Sequence, residues 1–390
     1  MKTIKNLLKI KTGNNFDTFY PEYNPNDGKI HVLYMSMLGN GTGLYRTILP
    51  YLHLNETTTH SAILHQGKSN NTGYYNQSNP IDGNIDERII KWADFVVFPT
   101  VTSDLRPIIK KYREQNPKIL FVMDIDDNPE VIPVNHPNIK MYTNESKQNL
   151  IRNMGYCDLV TCSNTNLQKY YSDKLAKKNT QFEVFYNVLS KYLTDDMDEY
   201  PAKIEKKDGI TRILLTINAG HYNCGIAFSK VLKNINKKYK DTVDLVNFGW
   251  NGGNGIYRNA FDGVKIDCLP GVSFLDYYKM LHCINPDISI IPLRSTEFNR
   301  YKSFQRYLEY SLFSIPTIVG ESEVYKDIVS DYENSVVCIG NQDFMENIDI
   351  LIENATIRDK ISENANIYCN ENFSYKNPDH IEKLKKIFSK

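Results

Sequence analysis

Short apolar runs alternate along the chain with polar segments of helical periodicity. In the first half, the apolar runs predict strands at 29–38, 95–98, 119–123, 159–163 and 183–187. In the second half, they predict strands at 212–217, 243–248, 288–292 and 316–319. Helices are predicted at 104–116, 226–236, 274–281 and 303–313, and residues 342–390 are mostly helical in pattern. Buried strands that alternate with helices indicate parallel, doubly wound sheets, so we expect an α/β fold.

A charged stretch at 191–209 separates the two sets of predicted strands and has the composition of a linker. The chain has 390 residues, which suits two domains at roughly 100–200 residues each. We therefore place one domain at 1–200 and a second at 201–371. Residues 69–84 show no periodicity and are predicted to form a mobile loop.

The segment 288–319 carries the strongest chemical signal. It is predicted to form a strand, a polar loop, a helix and a second strand, with Lys302 and Ser303 at the start of the helix. Glu309 follows Lys302 by two helical turns, or about 10 Å along the axis. A helix N-terminus with a lysine suits a diphosphate, and a carboxylate two turns on suits the hydroxyls of a ribose. An ordinary crossover helix with a surface Lys and Glu explains the same spacing.

The motifs of this segment resemble those of a known enzyme family. The pattern Asp-Ile-x-Ile-x-Pro-Leu, Phe-Asn, Lys-Ser, Glu-Tyr, Pro is similar to the nucleotide-sugar site of GT-B glycosyltransferases of the retaining family 4 type. In that family a Glu at the place of Glu309 holds the donor ribose. The common form has another Glu seven residues earlier, where this chain has Lys302, and the loop instead resembles a sub-branch that has Phe-Asn-x-x-Lys-Ser.

The resemblance implies a GT-B fold, in which two doubly wound Rossmann-like domains face a cleft. Domain 1–200 would bind the acceptor and domain 201–371 the nucleotide sugar, while the terminal helix at 372–390 would pack back on the first domain. Lys302, together with Arg300 or Arg294, would neutralise the leaving diphosphate. The other residues expected on the donor side are Asn299, Ser303, Gly220, His221, Gly271 and Val272.

Two turns on the donor side are each predicted to contact a different part of the nucleotide. Asn218-Ala-Gly220-His221 lies where related enzymes place a glycine-rich turn against the donor phosphates, often with Arg and Lys, which this turn lacks. His221 is the candidate side chain there, although a lone histidine is more often structural. The sequence Leu-Pro-Gly271-Val272 resembles the loop that packs the nucleotide base.

A glycine-rich loop at 39–43 follows the first strand and opens a helix. A dinucleotide-binding loop would have its third glycine at the position of Leu44, so we expect no nicotinamide cofactor. The resemblance implies that Gly41 and Gly43, with Arg46 in the following helix, face the acceptor. A tight turn without any ligand is the alternative.

The sequence Asp124-Ile-Asp126-Asp127 has the form of a metal-binding DxD motif. It lies in the first domain, away from the predicted nucleotide site, so we expect no metal requirement. Together with the Ile-Pro and Asn-His-Pro that follow, it resembles the Asp-Asp, Ile-Pro, Asn-Pro segment of the same sub-branch. Asp126 and Asp127 are therefore expected to orient an acceptor hydroxyl at the end of a strand. Helix capping and loop hydrogen bonding are the alternative.

Composition narrows the classes of partner and compartment. The formal net charge is zero, and no broad basic field favours general binding of nucleic acid. A local basic group at Lys110, Lys111 and Arg113 leaves DNA open as an alternative acceptor. Seven scattered cysteines predict reduced thiols and a cytoplasmic location. The basic first 11 residues lack the apolar core of a secretion signal, and they leave peripheral membrane contact as an alternative.

The combined expectation is a cytoplasmic hexosyl- or pentosyltransferase that uses a UDP-sugar or another nucleotide-diphosphate sugar, with retention and without a cofactor. Its acceptor would be a glycan or cell-surface molecule. One alternative is a phage-type enzyme that glycosylates modified DNA bases. Another is a catalytically silent GT-B-like protein that only binds sugars.

Overall fold

The computed structural model describes Ile4 and residues 20–35, 40–65, 85–218, 221–249 and 261–389. The chain forms two compact units, each built on a parallel sheet. The first unit comprises Met1–Glu130, Met141–Asp195 and Asn377–Lys390, and the second comprises Val131–Lys140 and Asp196–Lys376. Residues 131–140 therefore belong to the second unit, although they lie within the first half of the sequence. The predicted loop at 69–84 is outside the described residues.

The sheet of the first unit has six strands in the order β2-β1-β3-β4-β5-β6. These strands are β1 (Ile30–Met35), β2 (His60–His65), β3 (Phe95–Phe98), β4 (Leu120–Ile125), β5 (Leu159–Cys162) and β6 (Gln181–Val184). Its helices include α1 (Gly41–Gly43), a π-helical turn Leu44–Ile48, α2 (Leu49–Leu54), α3 (Glu87–Trp92), α4 (Arg106–Gln115), α5 (Asn144–Met154) and α6 (Thr165–Lys174).

The sheet of the second unit also has six strands, in the order β12-β11-β10-β7-β8-β9. They are β7 (Thr211–Leu215), β8 (Val243–Phe248), β9 (Asp267–Leu269), β10 (Ile288–Ile291), β11 (Thr317–Gly320) and β12 (Val336–Cys338). Its helices include α7 (Tyr222–Lys238), α8 (Tyr277–Ile284), α9 (Gln305–Leu312), α10 (Asn341–Glu353) and α11 (Ala355–Asn372). The last helix, α12 (Pro378–Ile387), belongs to the first unit.

All neighbouring strands in both sheets pair in parallel. Helices cover the faces of such sheets, so their central strands are buried on both sides and consist of continuous apolar runs. Phe95–Phe98 and Ile288–Ile291 are wholly buried in this way. The predicted α/β class with two doubly wound sheets is confirmed.

Several predicted boundaries differ from the structure. Helix α9 begins at Gln305, whereas the sequence placed its start at Ser303. Phe304 is the buried N-cap residue, with non-helical backbone angles, and packs its ring against Phe373 with the centroids 4.8 Å apart, so the helix begins two residues later than predicted. Lys302, three residues before the start of α9, has extended backbone angles. Strand β2 was not predicted, because its polar ends interrupt the apolar run.

Two further features concern thiols and membranes. All seven cysteines are free thiols, and Cys268 is the exposed one among them. Within the described part of the chain, none of the helices combines the length and the apolar character needed to span a bilayer.

Candidate functional site

The strand order of the second sheet reverses between β7 and β10, because β8 and β9 lie on one side of β7 and β10 to β12 on the other. Ligands of doubly wound sheets bind beyond the carboxyl ends of the strands at such a point. A cavity of about 430 Å³ lies there. Its walls are Val131, Pro133, His136, His221, Asn223, Cys224 and the loop 294–299, and all of them belong to the second unit.

The loop after β10 is held in shape by its own side chains. The Asn299 amide donates to the Arg294 carbonyl at 2.8 Å and contacts the Cys224 sulfur at 3.4 Å, and only 4% of the residue is exposed. The Asn299 amide, which the sequence predicts to contact the donor, is therefore already used to hold the loop in shape. Gly320 is required beside this loop, because a Cβ there would lie 2.2 Å from the Leu293 carbonyl oxygen.

The four other predicted donor residues around this loop have distinct surroundings. The Lys302 ammonium lies 4.4 Å from the ring centroid of Phe298, a cation–π contact at the cavity wall. Arg300 is exposed and pairs with Glu297 at 3.7 Å. Arg294 is exposed where it lines the cavity, and Ser303 is partly buried just before α9. The structure therefore places Arg294 on the cavity wall and Lys302 against the wall residue Phe298, whereas Arg300 pairs with Glu297.

Arg306 is a cation of the site that the sequence analysis missed. Its Nη2 lies 3.2 Å from Nδ1 of His221. A guanidinium only donates, so Nδ1 accepts and the imidazole proton lies on Nε2. The Asn218 amide lies at the same 3.2 Å, and its NH2 group can share that acceptor when the amide is turned. The sequence signal was a cation in the first turn of α9, where the helix dipole disfavours positive charge unless an anion is bound.

His221 is held neutral by its surroundings. Burial lowers the pKa of His221 well below its ordinary value, and the nearby charges of Arg306, Lys302 and His136 lower it further. The result is a neutral imidazole with an N–H to donate, beside two permanent cations. Such a group of donors suits a phosphate anion.

Glu309 lies in α9, three residues after Arg306. Its carboxylate accepts hydrogen bonds from Tyr277 at 2.9 Å and Gln305 at 2.7 Å, and Tyr278 lies 3.4 Å away. Only 5% of Glu309 is exposed, and burial raises the pKa of its carboxyl group, while Gln305 and Arg306 oppose that shift. Arg306 thus acts electrostatically on both Glu309 and His221.

The remaining predicted donor residues are two glycines and a valine. Gly271 and Val272 are exposed in the loop between β9 and α8. That loop ends where α8 carries Tyr277 and Tyr278, the partners of Glu309. Gly220 lies outside the described residues.

In the first unit, the glycine loop and the aspartate motif come together. Thr42 donates to Asp126 at 3.0 Å, and the Asn187 amide donates to the same carboxylate at 3.3 Å. Burial raises the pKa of Asp126, and the charge of Asp127 adds to this effect. Asp127 is exposed. Among the residues that the structure describes, no group of three His, Cys, Asp or Glu side chains is arranged to hold a metal ion.

Arg46, which the resemblance places on the acceptor side, is buried and hydrogen-bonded inside the first unit. Its guanidinium makes two hydrogen bonds to Asp124, at 2.9 and 2.7 Å, and donates to Asn187 at 3.1 Å and to the Phe185 carbonyl. The residue is 3% exposed. Arg46 is therefore a buried structural cation that ties the first helical segment to β4. Gly41 and Gly43 form α1, where the Asn40 side chain accepts from the Gly43 amide.

The basic group considered for DNA is interleaved with acids. Lys110 lies 4.0 Å from Glu114, and Arg113 lies 3.4 Å from Asp158. Lys111 is exposed on the same helix, α4. Because each of these two ion pairs offsets a positive charge, the helix face offers little net charge to a phosphate backbone.

Comparison with solved structures identifies the fold. The chain is similar to the sucrose-phosphate synthase of Thermosynechococcus elongatus, with a TM-score of 0.63, 9% identity and coverage of 92% of this chain and 98% of the other. A glycosyltransferase from Rickettsia africae gives a TM-score of 0.60 at 12% identity, covering 94% and 98%. HepE of Anabaena, solved with UDP and glucose, gives 0.55 at 11% identity, covering 92% and 98%.

The similarity to these structures establishes the GT-B type of two-unit α/β fold, and at such low identity it establishes the fold alone. The sequence matches no protein-family model and no curated protein.

Proposed function

We propose that the protein is a glycosyltransferase that takes its sugar from a nucleotide-diphosphate donor, most simply a UDP-sugar. The observation that carries the proposal is a chain of neighbours in the second unit: Glu309 interacts with Arg306, Arg306 contacts His221, and His221 lines the cavity at the switch point. This order matches the order of a ribose, a diphosphate and a sugar along one donor molecule.

The charges in this row match those of the donor. Arg306 and Lys302 supply two permanent positive charges, and neutral His221 supplies an N–H donor. A diphosphate needs such charge-assisted donors, and guanidinium groups bind phosphate oxygens in a bidentate manner. Glu309 is held by hydroxyl and amide donors, which ribose hydroxyls would replace or join.

The chemistry that we assign is transfer with retention of the anomeric configuration. The glycosidic bond to the diphosphate breaks while the acceptor oxygen bonds to the same face of the sugar. The departing diphosphate accepts the acceptor proton. Arg306, Lys302 and His221 would stabilise the charge that develops on this leaving group, and positioning would supply the rest of the acceleration.

The acceptor that we propose is a glycan or a cell-surface molecule. Asp126 would hold an acceptor hydroxyl, because Thr42 and Asn187 fix its carboxylate at the end of β4. The acids beside Lys110 and Arg113 count against DNA as the acceptor. That HepE was solved with UDP and glucose adds support for a uridine donor on this fold.

Titration calorimetry with UDP, GDP and ADP, and then with their sugar conjugates, tests the donor class. We expect UDP to bind, and Glu309→Gln to weaken its binding by roughly tenfold as a buried carboxylate contact is lost. Glu346→Gln is the matched control, because Glu346 is exposed on α10. Absence of nucleotide binding in the folded protein would refute the proposal.

Release of UDP from a UDP-sugar, followed with acceptor extracts, tests catalysis. Transfer of labelled sugar to bacterial glycan extracts is the expected outcome. Transfer to hydroxymethylated DNA, lost when Lys110, Lys111 and Arg113 are replaced by glutamine, would overturn the proposed acceptor. Binding without any turnover would favour a silent sugar-binding protein.

A further inference from the structure

Residues 131–140 form a wall of the cavity that comes from an unexpected part of the sequence. They lie between β4 and α5 of the first sheet, yet they pack with the second unit. Val131, Pro133 and His136 line the cavity, opposite residues from the loop 294–299 and the start of α7.

Specific contacts hold this wall in place. The His136 ring packs edge-on against Phe298, with the centroids 5.3 Å apart. Asn135 accepts a hydrogen bond from the Asn223 amide at 3.1 Å. His136 is 5% exposed, whereas Val134 beside it is 89% exposed. The segment thus presents one side to the cavity and the other to solvent.

The position of this wall relative to the phosphate-binding group indicates what the cavity takes. His221 belongs to both, since it lines the cavity and contacts Arg306. Phe298 also lines the cavity and carries the Lys302 ammonium over its ring. A diphosphate held by Arg306, Lys302 and His221 would then have Glu309 beside Arg306 for its nucleoside end and the cavity beside His221 for its sugar end.

The lining of the cavity suits a sugar ring. Val131 and Pro133 offer apolar surface, and His136, Asn223 and Arg294 offer polar groups. Hydroxyl-rich pyranose rings have apolar faces and polar edges, and sites that discriminate a hydroxyl do so through polar groups that would otherwise be left unpaired. The volume of about 430 Å³ is within the roughly 300–1,000 Å³ that is typical of small-molecule sites, which is enough for one sugar unit.

We infer that residues 131–140 build the sugar subsite of the donor site, and that His136 binds the transferred sugar and selects it. This inference rests on the proposed function, because it assigns the part of the donor that lies beyond the diphosphate. In this inference the cavity holds the sugar of the donor, and the acceptor binds elsewhere.

The test compares UDP with a UDP-sugar. We expect His136→Ala to weaken binding of the preferred UDP-sugar by roughly tenfold, the loss of one good polar contact, and to leave UDP binding within about twofold. Val134→Ala is the matched control on the same segment and should change neither affinity. His136→Phe keeps the packing against Phe298 and should still show the selective loss.

A second variant narrows the cavity without removing a polar group. Val131 is partly exposed on the wall, so Val131→Phe fills space and should also weaken UDP-sugar binding while sparing UDP. Unchanged UDP affinity shows that each variant is folded at the site.

The outcomes separate the two claims. If the wild-type protein binds UDP and a UDP-sugar, but the His136 and Val131 variants change neither affinity, the inference is wrong and the proposed function stands. If those variants change only the KM of the acceptor, the cavity is an acceptor site and the inference is again wrong. If the wild-type protein binds no nucleotide, the proposed function itself fails.

Discussion

Nη2 of Arg306 lies 3.2 Å from Nδ1 of His221, so a permanent cation fixes the tautomer of a neutral imidazole. The pair joins the first turn of α9 to the start of α7, at the point where the second sheet reverses its strand order. The remaining N–H of His221 is then a donor for a bound anion.

Arg306→Gln should weaken UDP binding by roughly 10- to 100-fold, because a charged hydrogen-bond donor to phosphate is lost. The pKa of His221 should rise in this variant, since one of the cations that lower it is removed. Calorimetry and an NMR titration of the imidazole measure the two effects. Arg88→Gln, an exposed arginine of the first unit, is the control. An unchanged UDP affinity would remove Arg306 from the donor site.

Gly320→Ala should destabilise the protein by about 1–3 kcal/mol, the usual cost of overpacking. The added Cβ would lie 2.2 Å from the Leu293 carbonyl oxygen and would push the loop that carries Arg294. Urea unfolding and UDP-sugar affinity should both report the change. In Gly155→Ala the new Cβ meets its neighbours at 3.4 Å or more, so that variant should be nearly neutral. Equal stability of the two variants would contradict the close approach.

Stability should depend on the neutral state of His53. Burial lowers the pKa of His53 from 6.5 to about 4, although Glu56 opposes the shift. Below pH 6.5 the unfolded chain binds a proton that the folded protein does not, so the free energy of unfolding falls as the pH drops towards 4. At 1.36 kcal/mol per pKa unit, this one group accounts for about 3 kcal/mol.

Chemical unfolding at pH 7 and pH 4.5 checks this, with His53→Gln as the variant. The variant should lose less stability over that interval than the wild-type protein. Parallel losses would show that His53 titrates normally.

Donor binding should not need a divalent cation. In the proposed donor site, Arg306 and Lys302 would neutralise the diphosphate in place of a metal ion, and Asp126 belongs to the other unit. UDP-sugar affinity measured with EDTA should equal that with added Mn²⁺ or Mg²⁺. A strict metal requirement that Asp126→Asn abolishes would instead favour a metal-bridged donor.

The fold was accessible from sequence because parallel strands covered on both faces are continuous apolar runs. Residues 243–248 and 288–291 were identified almost to the residue on that basis. Arg306 was missed because only the spacing of Lys302 and Glu309 was considered, and the helix start was placed too early.

His136 and Arg46 have surroundings that could not be predicted from the sequence. His136 packs against Phe298, which lies far along the chain, and the two residues line the same cavity. No periodicity in the sequence predicts such a contact. The motif of Arg46 predicts a place on the acceptor side, yet its guanidinium is hydrogen-bonded to buried Asp124 of β4, far along the chain. Tertiary pairing decided both positions.

Residues 131–140 lie in the N-terminal half of the sequence but belong to the second unit. The two halves of the sequence are therefore not the same as the two structural units. A chimera that exchanged the first 190 residues with those of a relative would also exchange one wall of the cavity. If the proposed donor and acceptor assignments hold, divergence in the N-terminal half would change which sugar is accepted as well as which acceptor is used. Asp126 and Val131 are five residues apart, so in the proposed assignments a single short stretch of the gene would carry determinants for both substrates.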